Sequence, residues 1–187
     1  MKADGSSVRQ LTNHPAHDFY PDWSPDGRNL VFWSKRSGRD ELYVISTDRG
    51  DLEGEIPRLL AEGVFPKWSP DGGLIAFKSR DGLGVIPPEG GDARLIVQGK
   101  GTQNVPIPWT AAWSSDSRTL FYKAEEADGT ASFWSVTVSG GEPKLLVRFD
   151  DPSRLFIRDE FSSDGKRFFF PLTEYESDIW VAQLEER

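Results

Sequence analysis

The two histidines of the chain stand close together, in the segment Asn13-His14-Pro15-Ala16-His17-Asp18. A His-x-x-His loop beside an aspartate could hold a divalent metal ion, because imidazole nitrogens and carboxylate oxygens are common ligands of such ions. No third and fourth ligands stand nearby in the sequence, and Pro15 restricts the loop. We therefore interpret the segment as a solvated loop and expect neither a metal nor another cofactor.

Acidic side chains form a second group that could bind an ion, and they are Asp48, Asp51, Glu53 and Glu55. Their spacing lacks the Asp-x-Asp-x-Asp-Gly order of a calcium-binding loop. We expect a solvated insertion at this place.

Nucleophilic catalysis has no support in the sequence. The chain contains no cysteine, which excludes disulfides and a thiolate nucleophile. A serine hydrolase needs a Gly-x-Ser-x-Gly elbow with a histidine further along the chain. The sequence has no such elbow and no histidine after His17, so we expect that the chain is not an enzyme.

Charge and composition exclude further functions. The 187 residues carry 22 basic and 30 acidic side chains, which gives a net charge of −8. Phosphate binding needs clustered lysine and arginine, so nucleic acid is not an expected partner. No stretch approaches the roughly 20 apolar residues of a membrane span, and the first residues lack the apolar region of a secretory signal.

A repeat supplies the elements that would position any binding residue. The Trp-Ser-Pro-Asp-Gly segment at residues 23–27 returns at 68–72, and in altered form at 113–117 and 161–165. The segment Ser-Pro-Asp-Gly is typical of a turn, because proline fixes φ, aspartate forms hydrogen bonds with nearby backbone groups, and glycine accepts a positive φ. Apolar runs follow each copy, basic-then-apolar pieces such as Arg58-Leu59-Leu60 lie between copies, and no window shows helical periodicity.

Four short antiparallel strands in each unit of roughly 40–50 residues predict an all-β fold, namely a β-propeller of about four blades. Each blade needs a neighbour on either side to bury its two apolar faces. We therefore expect the repeated aromatic residues to lie in the core between blades. These residues are Trp23, Trp68, Trp113 and Phe161.

The pattern Pro-x-Trp-Ser-Pro-Asp-Gly-x-x-Leu-x-Phe, at residues 21–32 and 66–77, closely resembles the TolB-type, WD-repeat-like propeller family. The third and fourth units depart from it, since Ala111 and Asp159 replace the proline and Phe161 replaces the tryptophan. The resemblance covers nearly the whole chain. It implies a bacterial propeller that binds a protein or peptide partner in the periplasm or another extracytoplasmic compartment, although no signal peptide stands in this chain.

Two other functions stay open. Similar blades lie beside the hydrolase domain of prolyl oligopeptidase-like serine peptidases, so the chain could be an accessory, substrate-gating propeller that lacks its hydrolase domain. A metal-dependent, carbohydrate-active propeller would require His14 and His17. We favour a non-catalytic binding module that mediates protein–protein or peptide interaction, as a portion of a larger TolB-like protein.

The repeat also sets the expected organisation, which is a single propeller domain over residues 1–187. It consists of an orphan outer strand within 1–12, blades over 13–60, 61–97 and 98–147, and an incomplete last blade over 148–187. The orphan strand, Val8-Arg9-Gln10-Leu11, either closes a four-bladed ring or belongs to an open arc of a larger propeller. We expect the open arc, whose exposed apolar blade faces could lead to self-association.

The innermost strand of each blade lines the propeller channel, and loops at its ends form the rim. We predict a channel and rim site of mixed charge, suited to a peptide or another polar segment. Its residues are Tyr20, Asp22, Phe65, Lys67, Thr110, Arg158 and Glu160. Salt bridges between blades are the alternative role for the charged members. The long segment from Gln98 to Pro108 is a second candidate binding element.

Overall fold

The computed structural model describes residues 6, 8–47, 56–99, 107–125, 130–149, 161–164, 167–173 and 177–183. These residues form strands β1 to β15 without a helix. No described helix is therefore long and apolar enough to cross a membrane. The all-β class expected from the repeat is confirmed.

The strands form four antiparallel sheets, in each of which successive strands of the chain are neighbours. The first sheet contains β1 (Asp18–Trp23), β2 (Asn29–Ser34), β3 (Glu41–Ser46) and β4 (Arg58–Glu62). The second contains β5 (Val64–Trp68), β6 (Ile75–Ser79), β7 (Gly82–Ile86) and β8 (Arg94–Gln98). The third contains β9 (Ile107–Trp113), β10 (Thr119–Glu125), β11 (Ala131–Thr137) and β12 (Lys144–Arg148). The fourth contains β13 (Ser162–Ser163), β14 (Arg167–Thr173) and β15 (Ser177–Gln183).

These sheets are the four blades predicted by the repeat, and the fourth has three strands among the described residues. The residue limits given above for the individual blades stay a prediction. The inner strand expected around residues 158–162 is described only over Ser162–Ser163.

The turn between the first two strands of a blade is built by its serine and aspartate. The Ser69 hydroxyl donates to Oδ1 of Asp71 at 2.6 Å and accepts the N–H of Leu74 at 2.9 Å. Gly72 completes the turn with a φ of +78°. The first and third blades repeat this geometry at Ser24 with Asp26 and at Ser114 with Asp116.

Ser117 stands where the first two turns have glycine, and its φ is +59°. A positive φ is uncommon for a residue with a side chain. The Ser117 hydroxyl accepts the backbone N–H of Asp71 at 3.0 Å. The departure from glycine in the third unit therefore supplies a hydrogen bond that joins the second and third turns.

Apolar side chains fill the spaces between consecutive sheets. Trp68 and Trp113 are each 8% exposed. Trp68 packs with Val31 and Leu42 of the first sheet, and Trp113 Nε1 donates to the carbonyl oxygen of Lys67 at 2.9 Å. Phe161 packs with the aromatic cluster between the third and fourth sheets. The predicted position between blades is confirmed for these three aromatic residues.

Trp23 is the exception, and the expectation of burial is wrong for it. The side chain is 54% exposed, because no sheet among the described residues precedes the first one to cover its inner edge. The repeat specifies the residue type, but burial also requires a neighbouring sheet.

In the first and second blades, an arginine of the outer strand binds the following blade. The guanidinium donates to main-chain carbonyl oxygens just after the third strand of the next sheet. The contacts join Arg58 to the oxygens of Pro88 and Glu89, and Arg94 to that of Val138. Charge-assisted hydrogen bonds of this kind are stronger than neutral ones. We call the contact between an outer-strand arginine and the main-chain carbonyl oxygens of the next blade the arginine clasp.

The outer strand expected at Val8-Arg9-Gln10-Leu11 is not formed, since these residues have no strand conformation. Side-chain contacts hold them instead. Arg9 Nη2 donates to the carbonyl oxygen of Thr47 at 3.2 Å, and Leu11 packs on the apolar cluster of β2 and β3. Among the described residues no strand pairs with this segment.

We expect Trp68→Ala to lower the free energy of unfolding by about 3–5 kcal/mol, because it leaves a cavity between two sheets. Trp23→Ala is the matched control and should lower it by less than about 1 kcal/mol, since its side chain is already half in water. Urea denaturation at low protein concentration measures both. Equal losses for the two variants would show that the two positions are equivalent after all.

The turn aspartates should make stability depend on acid pH. The Ser69 hydroxyl, followed by the Gly73 N–H, holds the pKa of Asp71 below its ordinary value of 3.8. The ionised carboxylate therefore stabilises the fold fully above that ordinary value, and the contribution is lost as the pH falls through the lowered pKa. Asp71→Asn should reduce the urea midpoint at pH 7, and the difference from wild type should shrink at pH 2–3. A difference that stays constant with pH would contradict this assignment.

Candidate binding site at the inner strands

The inner strands of the first two blades share a break in their pairing. In β1, Phe19 lies opposite Trp33 and Asp22 opposite Val31, so the register shifts at Tyr20. In β5 the register shifts in the same way between Val64 and Lys67, around Phe65. The central residues have positive φ angles, +48° for Tyr20 and +54° for Phe65.

A positive φ is an outlier for a bulky aromatic residue, and both residues also precede a proline, which normally requires an extended conformation. Strain of this kind is on the order of 1–3 kcal/mol for each residue and persists where the surroundings enforce it. Bulges often redirect a side chain out of the regular pleat. Here they bring the rings of Tyr20 and Phe65 together, edge to face, at a centroid distance of 4.7 Å.

Two further rings extend this contact into a continuous cluster. Phe19 stacks on Trp33 at 4.7 Å, and Trp33 meets Phe65 at 6.4 Å. We call Phe19, Tyr20, Trp33 and Phe65 the aromatic rim. Phe19 is 38% and Tyr20 36% exposed, so the rim offers ring surface to a ligand while Trp33 and Phe65 support it from the blade.

Cationic side chains stand over the neighbouring rings. Lys35 Nζ lies 6.0 Å from the Trp33 ring. Lys78 Nζ lies 3.8 Å from the ring of Trp109, in the third blade. Because Lys78 pairs with Val64 in the second sheet, the second contact joins two blades at the same end of the inner strands. The site is thus aromatic with a cationic border.

Asp22 and Lys67, both predicted as binding residues, meet each other across the first two blades. Asp22 Oδ2 accepts the backbone N–H of Trp68 at 2.7 Å, and its Oδ1 lies 3.4 Å from Lys67 Nζ. The inter-blade bridge considered as the alternative role is therefore present. The Lys67 side chain remains 43% exposed and can donate further hydrogen bonds, whereas the Asp22 carboxylate is occupied by the junction.

The other predicted residues divide into two groups. Thr110 occupies the place of Tyr20 and Phe65 in β9 and is buried, so it offers little surface. Arg158 and Glu160 lie outside the described residues, as do the acidic cluster at 48–55 and most of the loop between Gln98 and Pro108.

Phe19, Trp33 and Trp109 belong to the site but are absent from the sequence-based selection. Trp33 ends the apolar run that follows the first turn, and this run was interpreted only as a strand. Phe19 and Trp109 each directly precede a selected residue, Tyr20 and Thr110 respectively. The sequence signal that could have found Phe19 and Trp109 is an aromatic residue near the start of an inner strand.

The histidine segment provides no metal centre among the described residues. Nδ1 of His14 accepts the backbone N–H of Ala16 at 3.1 Å. Within the described ranges no three side chains of His, Cys, Asp or Glu converge to hold an ion.

A groove of about 430 Å3 lies at the turn end between the first two blades. Asp26 and Asp71 line it, but their Oδ1 atoms hold the serine turns. Arg58 also lines it, and its guanidinium is bound in the clasp. The polar groups of this groove thus have structural roles, and the aromatic rim is the stronger candidate site.

The backbone strain at Phe65 can be tested by comparing two truncations. Phe65→Gly should be more stable than Phe65→Ala by about 1 kcal/mol, because only glycine accepts the positive φ without strain. In an ordinary strand the order is reversed. Urea denaturation of the two variants decides the point, and a more stable alanine variant would refute the strained bulge.

Comparison with known proteins places these features in a family. The model of the TolB beta propeller domain matches residues 1–100. The Tol-Pal system protein TolB of Bordetella pertussis is 43% identical over 47 residues, which are 25% of this chain and 11% of that protein. The chain thus spans about a tenth of the length of the curated relatives it matches.

Solved structures agree on the fold. A protein described as TolB from Agrobacterium tumefaciens superposes with a TM-score of 0.69 at 23% identity, covering 94% of this chain and 61% of that one. The acylaminoacyl peptidase of Pyrococcus horikoshii gives a TM-score of 0.58 at 17% identity, covering 91% of this chain and 32% of that one. With the family model matching more than half of its residues, the chain belongs to the TolB beta propeller domain family.

Proposed function

We propose that this chain is a non-catalytic module that binds a protein partner of the Tol-Pal type, and that the aromatic rim is its contact surface. The observation that carries the proposal is the pair of strained bulges, which turn Tyr20 and Phe65 toward each other at the exposed ends of two inner strands. Strain in a binding loop or strand is retained most readily where it serves recognition.

The chemistry of the rim suits a protein ligand. Aromatic side chains dominate interface energies, because they bury large areas with few rotatable bonds. The nearby ammonium groups of Lys67 and Lys35 would favour acidic or carbonyl groups on the partner. The predicted channel residues Tyr20, Phe65 and Lys67 remain part of this proposed site.

The relatives favour the same class of function. Their shared name assigns them to the Tol-Pal system, and we infer a comparable assembly and a periplasmic location for this chain. The rival function, a gating propeller of a serine peptidase, rests on a shared fold at 17% identity. The chain itself has no Gly-x-Ser-x-Gly elbow, and the aromatic rim adds no support for that rival.

The test is a titration of this chain with the purified Pal component of the Bordetella pertussis Tol-Pal system, followed by calorimetry. Tyr20→Ala and Phe65→Ala should each weaken the affinity about 30-fold, the effect of losing a central aromatic contact of about 2 kcal/mol. Circular dichroism and thermal melting should show that both variants remain folded.

Leu145→Ser is the matched control, because Leu145 is an exposed apolar residue on the outer strand β12. It should leave the affinity within about twofold of wild type. Binding that is unchanged by both rim substitutions would contradict the proposed surface. Absence of binding by the wild-type chain would contradict the proposed class of partner.

A further inference from the structure

The groove at the turn end of the first two blades combines apolar side chains with carboxylates. Its apolar lining consists of Val44 and Trp68, each 8% exposed, with Pro25 and Pro88. Its volume of about 430 Å3 falls within the range of ligand pockets, which is roughly 300–1,000 Å3. Both blades that form it have four strands, so the groove lies between two blades and not on an open face of either.

Two positions of the repeat distinguish this junction from the next one. Asn29 and Leu74 correspond, since their backbone N–H groups donate to the turn serines of their blades. Leu74 packs into the apolar cluster between the second and third sheets, whereas Asn29 lines the groove. Gly72 and Ser117 also correspond. The Ser117 hydroxyl joins two turns by accepting the N–H of Asp71, whereas Gly72 has no side chain that could do so and lines the groove.

The carboxylates of the groove can accept more hydrogen bonds than the turns use. The turn bonds engage Oδ1 of Asp26 and of Asp71, and each carboxylate has a second oxygen. The Ser24 and Ser69 hydroxyls, followed by backbone N–H groups, hold the pKa of both carboxyls below the ordinary value of 3.8. Both are therefore ionised at neutral pH. Glu89 adds a third carboxylate, and the arginine clasp uses only its main-chain oxygen.

The positive charge at the groove is already engaged. Among the described residues that line it, Arg58 is the only basic one. Its guanidinium donates to the main-chain oxygens of Pro88 and Glu89, and not to the groove carboxylates. The side-chain amide of Asn29 lines the groove as well and forms no hydrogen bond among the described residues. The groove thus presents acceptors and negative charge beside an apolar surface, which complements a cation on an apolar stem.

We propose that the groove binds an arginine side chain of a partner protein. A guanidinium carries five N–H donors in a planar fork that matches carboxylates, and its methylene stem can lie on apolar surface such as Val44 and Trp68. A lysine ammonium is a compact point charge and fits such a set of acceptors less well. The aromatic rim lies at the other end of β1, beside Phe19, and has a cationic border. This second site therefore does not rest on the function proposed for the rim.

Titration with N-acetyl-arginine amide, followed by NMR of the isotope-labelled chain, tests the site. The indole N–H of Trp68 donates to the Gly72 carbonyl oxygen at 3.2 Å and reports on the groove. Its signal should shift to saturation, with a dissociation constant on the order of 1 mM, as expected for one side chain. Absence of a saturable shift overturns the proposal.

Two analogues test the chemistry of recognition. N-acetyl-citrulline amide has nearly the same shape without the charge, and it should bind about 10-fold more weakly than the arginine compound. N-acetyl-lysine amide has the charge without the planar fork and should also bind more weakly. If either analogue binds as tightly as the arginine compound, the assignment to a guanidinium is wrong.

Asp26→Asn should weaken binding of the arginine compound about 10-fold, because asparagine keeps an oxygen for the turn but removes the charge. Asp116→Asn is the matched control. Asp116 accepts the Ser114 hydroxyl in the corresponding turn of the third blade and does not line the groove, so its affinity should stay within about twofold of wild type. Equal losses in the two variants would show an effect of net charge alone and would overturn the proposal.

Glu89→Gln provides a variant that leaves both turns and the clasp intact, since Arg58 binds the main-chain oxygen of Glu89. It should weaken binding about threefold, with Glu142→Gln, an exposed acidic residue between β11 and β12, as the control without effect. The amide signals of each variant show whether it is folded. Binding that neither Asp26→Asn nor Glu89→Gln weakens would show that the groove carboxylates do not hold the ligand, which overturns the proposal.

Discussion

The fold depends on one constraint, which is that the sheets are apolar on both faces and are stabilised by packing against neighbouring sheets. Leu120 and Phe121 are consecutive residues of β10, so their side chains point to opposite faces. Leu120 packs in the cluster shared with the second sheet, and Phe121 packs in the cluster shared with the fourth. Burial on two sides is what drives the sheets to stack around an axis. The order of the sheets, the position of the inner strands and the location of the rim all follow from this stacking.

Apolar packing alone does not fix the relative position of stacked sheets. The junctions between blades supply polar contacts that do so at three places. Near the axis, the Asp22 carboxylate accepts the Trp68 N–H. At the turn end, Ser117 accepts the N–H of Asp71. At the outer strand, the arginine clasp binds the following blade. This explains why Asp22 and Lys67, which are charged residues on the channel side and look like ligand contacts in the sequence, meet each other instead.

The sequence predicts the features that depend on interactions between residues close together in the chain. Ser69, Asp71 and Gly72 specify a turn by their own hydrogen bonds and backbone preference, so the strands around it could be placed in advance. The exposure of Trp23 could not, because it depends on a neighbouring sheet and not on the residue. The segment Val8-Arg9-Gln10-Leu11 could not be placed for the same reason: Arg9 and Leu11 have the basic and apolar side chains of an outer strand, but a backbone ladder needs a neighbouring strand. The aromatic rim could be predicted in part, since Tyr20 and Phe65 are among the predicted binding residues. Their backbone conformation could not be predicted, because a positive φ before proline contradicts the local preference.

The strained backbone at the rim lies beside a hydrogen bond that joins two blades. A bulky residue stays at positive φ only where its surroundings over-determine it, and three residues after Phe65 the backbone N–H of Trp68 is held by Asp22 of the neighbouring blade. On its other side, the ladder resumes at Val64 opposite Lys78. The bulge is therefore held at one end by a contact that joins two blades and at the other end by the ladder of its own sheet. The ring of Phe65 at the rim and the Trp68 N–H at the blade junction therefore belong to the same short strand, three residues apart.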